Sequence, residues 1–121
     1  MKTILIKLAL ACAPFLIAGT VQASNLDFTL VNKTNQTIFE VHVSSSSTSD
    51  WEEDVLGTDA LISGDSVDIE FERGSKGCKW DLKVTYESGK SAEWGKLDLC
   101  SISTVTLSYD RKSGTTSART K

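Results

Sequence analysis

Residues 80–86 read Trp-Asp-Leu-Lys-Val-Thr-Tyr, an apolar side chain at every second position with a polar one between. Side chains alternate across a β-strand, so this spacing makes one face apolar and the other wet; an amphipathic helix would need apolar residues three and four apart. The pattern recurs. Val67, Ile69 and Phe71 alternate with Asp68, Glu70 and Glu72; Leu26, Phe28 and Leu30 with Asp27, Thr29 and Val31; and Phe39, Val41 and Val43 with Glu40, His42 and Ser44. Shorter pieces follow at 92–94, at 97–99 and in Val105, Leu107 and Tyr109. Between them stand turn formers: Asn32 to Gln36, Ser63-Gly64-Asp65, and Glu87-Ser88-Gly89-Lys90. About seven short strands with frequent turns predict an all-β chain, an antiparallel β-sandwich. No stretch is long enough for a βαβ crossover.

Two segments break the alternation. Ser44 to Ser49 is polar, and Ser49-Asp50-Trp51-Glu52 then spells a capping box with Gly57 placed as a stop, which predicts one short helical turn inside a loop. Residues 110–121 carry four basic side chains and almost nothing apolar, which predicts a disordered basic tail after a sandwich domain at 24–109.

Ahead of the domain, Lys2 and Lys7 flank an apolar run that leads to Val21-Gln22-Ala23. A basic start, an apolar centre and small residues at a cut site make residues 1–23 a secretory signal peptide cleaved after Ala23, with a periplasmic or secreted destination. Pro14 and Gly19 interrupt the run, which weakens the alternative of a membrane anchor, and Ala9-Leu10-Ala11 before Cys12 is a poor lipidation signal. Losing Lys2 and Lys7 with all 16 acids retained takes the formal charge from −3 to −5. An acidic balance argues against nucleic acid as a partner. Processing also removes Cys12, which leaves Cys78 and Cys100 as a lone pair in an oxidising compartment, and such a pair forms a disulfide. The competing redox role lacks a Cys-x-x-Cys pair.

The succession Phe28-Thr29-Leu30-Val31-Asn32, Trp51-Glu52-Glu53-Asp54-Val55-Leu56-Gly57, Cys78-Lys79-Trp80-Asp81-Leu82-Lys83-Val84-Thr85-Tyr86 and Leu99-Cys100 resembles a group of small secreted or periplasmic bacterial β-sandwich proteins of unassigned activity. The likeness spans nearly all of the processed chain, and Cys-x-Trp-Asp-Leu-x-Val-x-Tyr is its most specific part. It implies an exported bacterial domain and transfers no site residues.

The chemistry on offer is sparse. His42 is the sole histidine and shares a strand face with Glu40 and Ser44, but residues two apart on a strand point in parallel and make a poor nucleophile–base pair, so no catalytic residue is assigned. Asp50, Glu52, Glu53 and Asp54 are the acids best placed for a metal, calcium being the natural ion outside the cytoplasm; acids in a first helical turn also complement the helix dipole. Most of the aromatics fall on inward strand positions. Trp51 does not: it lies in an acidic loop, where an indole beside Asp54 can recognise a protein or a glycan, or can close one end of the sandwich as a lid. Arg73-Gly74-Ser75-Lys76-Gly77 lacks the strand–loop–helix setting of a phosphate loop. These readings predict a nonenzymatic binding module, for instance an inhibitor of a basic protein, without a required cofactor and without a membrane span after processing. The alternative is a carbohydrate-binding or calcium-assisted module.

Overall fold

The computed structural model describes residues 2–6, 26–72 and 74–121 and contains two β-sheets. Strands β1 (Lys2–Ile6), β2 (Phe28–Lys33), β4 (Ser66–Phe71), β7 (Thr104–Asp110) and β8 (Thr115–Thr120) form one sheet in the order β1-β4-β2-β7-β8. Strands β3 (Ile38–Ser45), β5 (Lys79–Tyr86) and β6 (Ser91–Asp98) form the other, in the order β3-β5-β6. The chain is therefore the expected all-β sandwich. Most pairings are antiparallel; β2 with β7 and β1 with β4 are parallel, each pair separated in sequence by at least one strand of the opposite sheet. The proposed cleavage site and Cys12 lie outside the described residues, as does Arg73, whereas β1 lies wholly inside the segment read as a leader.

The period-two pattern becomes the core directly. Leu30, Val67, Ile69, Val105 and Leu107 from one sheet and Val41, Val43, Leu82 and Val84 from the other are all buried. Each such side chain removed from water contributes about 1.5–3 kcal/mol before chain entropy is offset. Phe71 and Trp80 meet edge to face across the sheets, ring centroids 4.9 Å apart, and the indole N–H of Trp80 donates to the Gly77 carbonyl. An aromatic pair in this geometry gains electrostatically as well as by area.

Three expectations need correction. Residues 115–120 are not a disordered tail: they are β8, paired with β7 in register from Val105↔Thr120 to Asp110↔Thr115. Its half-buried positions are Thr116 and Ala118, too weakly apolar to announce a strand. The helical turn after Ser49 is absent, and no described residue is helical. Phe39 does not point inward either. The β3–β5 register shifts between Ile38 and Glu40, so Phe39 is the extra residue of a β-bulge and is 45% exposed, while Ile38 takes the core position.

The strand directions collect three connections at one end of the sandwich: residues 34–37 between β2 and β3, 87–90 between β5 and β6, and 111–114 between β7 and β8. The opposite end holds the Cys78–Cys100 disulfide, which joins the approach to β5 with the turn after β6.

Candidate recognition surfaces

The long connection from β3 to β4 runs back beside the free edge of β3. The Glu52 N–H donates to Ser44 Oγ at 2.7 Å, the Val55 N–H to the Val41 carbonyl at 2.8 Å, and Leu61 and Ile38 exchange both backbone bonds at 2.9 Å. These bonds explain the missing helix. A single helical turn fixes several residues for one hydrogen bond, whereas an open strand edge supplies partners at once.

The sequence-assigned residues take their places in this strap. Asp54 Oδ1 accepts the Val41 N–H at 2.8 Å and the Leu56 N–H at 3.0 Å, so its carboxylate splices the loop to β3. Trp51 is partly buried against the outer face of the smaller sheet, with Lys83 Nζ 6.0 Å from its ring centroid. This location differs from a lid over the end of the core. His42 Nδ1 lies 2.6 Å from the Glu52 carbonyl and Nε2 3.0 Å from Glu40 Oε1; Ser44 is engaged by the loop amide rather than by the imidazole.

Asp50, Glu52 and Glu53 are exposed. The metal-type group found among the described residues is instead Cys78, Asp98 and Cys100, whose ligand atoms lie within 4.8 Å of one another. Both sulfurs there are already bonded to each other, so the group offers one carboxylate and no thiolate.

Two clefts of opposite character were not legible in the sequence. The first, about 390 Å³, is bordered by the bulged Phe39 together with Glu40, Asp54 and Asp59. An exposed ring is thus set among three carboxylates, and no described cation borders the cleft. The one sequence signal was the adjacent pair Ile38-Phe39, since neighbouring strand residues cannot both face the core.

The second cleft, about 450 Å³, lies at the end where the three connections meet. Tyr86, Tyr109, Lys90, Arg111, Asn35 and Gln36 border it, and its lining includes no carboxylate. The Tyr86 hydroxyl donates to Thr116 Oγ1 at 3.5 Å. Burial raises the Tyr86 pKa above the ordinary 10.0, opposed by that hydrogen bond. A raised value means that the folded chain holds the phenolic proton after the unfolded chain has begun to release it. The resulting stability is complete below pH 10 and is lost as pH rises through the folded value. Tyr86→Phe should therefore lose less stability than wild type as pH rises above about 10 in denaturant titrations, and parallel curves would refute the assignment.

No protein-family model matches the chain. No curated protein matches it either. Among solved structures, the NMR structure of a protein from Eubacterium rectale is similar, with a TM-score of 0.55 and 20% sequence identity over 78% of this chain and 85% of that one, a likeness that extends to the fold alone.

Proposed function

We propose that this chain is an exported, nonenzymatic interaction module that captures a basic protein, with the bulged Phe39 and its surrounding acids as the contact. The observation that carries this reading is the placement of Phe39. A β-bulge turns a large ring out of the core into a cleft rimmed by Glu40, Asp54 and Asp59, the combination of apolar anchor and directed charge from which protein hot spots are built. A net charge of −3, or −5 after cleavage, draws a cationic partner at longer range. Export is supported by the leader-like start and by the disulfide; no described helix is long and apolar enough to cross a membrane. In this reading Asp54 has a positioning role: its carboxylate bonds the loop to β3 and forms part of the Phe39 rim.

Protein recovered outside the cytoplasm, whose intact mass reports cleavage after Ala23, is immobilised beside its Phe39→Ala variant and exposed to envelope extract. Wild type should retain a cationic protein that elutes with salt, and the variant should retain about tenfold less. The substitution is at the surface, so its stability should stay within about 0.5 kcal/mol of wild type. Equal retention by the two proteins, or retention of acidic proteins only, would reject the reading.

A further inference from the structure

The cleft at the three-loop end differs from the rest of this acidic chain. Sixteen acids are present in the sequence, yet none borders this cleft, while Lys90 and Arg111 both do. Three separate segments contribute to it. Asn35 and Gln36 come from the β2–β3 connection, Tyr86 and Lys90 from the β5–β6 hairpin, and Tyr109 and Arg111 from the start of the β7–β8 hairpin.

Each segment is held in place independently of any ligand. The Asn35 N–H donates to Ser63 Oγ at 2.9 Å and the Tyr86 N–H to the Lys90 carbonyl at 2.8 Å. The Gly114 N–H donates to the Asp110 carbonyl at 2.8 Å. Gly114 has φ of +68°, and a β-carbon there would come within 3.9 Å of the Tyr109 hydroxyl. Preorganised loops on a rigid sandwich lower the ordering cost of binding.

We propose that this cleft binds a carboxylated saccharide, a uronate unit of an acidic glycan. The volume of about 450 Å³ falls within the range of small-ligand sites. Arg111 and Lys90 supply the charge, and a guanidinium matches a carboxylate with two parallel hydrogen bonds. Tyr109, half-buried, presents ring surface with a hydroxyl at its tip, suited to the C–H face and rim hydroxyls of a sugar ring, while the Tyr86 ring belongs to the core and forms the floor of the cleft. Asn35 and Gln36 each add a donor and an acceptor. A nucleic acid would bring several phosphates into a chain that is acidic elsewhere, whereas a single uronate needs only this local reversal of charge.

The test is a heteronuclear NMR titration of the full chain with digalacturonate, with its uncharged digalactose counterpart, and with inorganic phosphate. Digalacturonate should move the amides of 34–36, 86–91 and 109–116 with a Kd near ~1 mM or below. Digalactose should bind at least about fivefold more weakly, and Arg111→Ala should weaken the uronate about fivefold without altering the remaining spectrum. Lys90→Ala provides a second variant of an exposed side chain, with the same expected direction. Three results overturn the proposal: no shift with digalacturonate, equal affinity for the neutral sugar, or phosphate moving the same amides equally at the same concentration.

Discussion

Asn32→Leu should lower the unfolding free energy by about 3–4 kcal/mol, with a fall in Tm of roughly 15 °C. Asn32 is fully buried and uses its amide in both directions. Its Nδ2 donates to the Gln36 carbonyl at 2.8 Å and to the Leu61 carbonyl at 2.9 Å, while its Oδ1 accepts the Thr34 N–H at 3.0 Å and the Thr34 hydroxyl at 2.6 Å. One side chain thereby closes the β2–β3 turn and ties it to the end of the β3–β4 strap. A leucine would fill much of the space and satisfy none of these groups. Each buried group left without a partner costs about 1–3 kcal/mol, moderated where the turn can relax toward water. Urea unfolding at unchanged m-value checks the figure; a loss below about 1 kcal/mol would show that the network is dispensable.

Reduction of the Cys78–Cys100 bond should lower stability by about 3 kcal/mol in the chain-entropy account, given a sequence separation of 22. Both cysteines are exposed, so reductant reaches the bond in the folded protein. The bond stands between the approach to β5 and the turn after β6, where the Leu99 N–H already donates to the Cys78 carbonyl at 2.9 Å. That backbone bond does not require the disulfide, so the freedom released by reduction falls chiefly to the unfolded chain. Thermal unfolding with and without dithiothreitol should separate wild type from a Cys78→Ser, Cys100→Ser double variant. Wild type shifts to the position of the variant, and the variant does not respond. Coincident wild-type curves in the two conditions would remove the disulfide from the stability account.

The parts of the fold visible in the sequence are those where burial alone selects the residue. β5 is the clearest case, because Trp80, Leu82, Val84 and Tyr86 all face the core and nothing perturbs the period. β8 was hidden because Thr116 and Ala118 occupy an outermost strand that needs little apolar surface. The Ser49–Gly57 segment carried real helix signals, which were overruled by a tertiary partner: the backbone and carboxylate of this loop bond to β3 thirteen residues earlier in the case of Asp54 and Val41. Local propensity is a weak prior against such pairing. Both clefts depend on how distant loops converge or on where a bulge falls, and neither is encoded in a window of neighbouring residues. Trp51 and Asp54 were conspicuous by chemistry, and the Asp54 carboxylate is engaged in bonding the loop to β3.

The parallel seat of β1 on β4 bears on what the processing proposed above, removal of residues 1–23, would expose. The Phe71 N–H donates to Asp27 and the Asp65 carbonyl accepts from Asn32, so the odd-numbered backbone groups of β4 face β2, and alternation turns those of Ser66, Asp68 and Glu70 toward β1. In a chain that starts at Ser24 these groups form a bare rim, the kind of template on which fibrils grow. Asp68 and Glu70 project from that rim on the solvent side. A second copy approaching rim to rim would set carboxylates against carboxylates, so like molecules repel one another there as long as salt is low. Removal of residues 1–23 would thus unmask a sticky margin and leave in place the charges that keep copies of the chain apart.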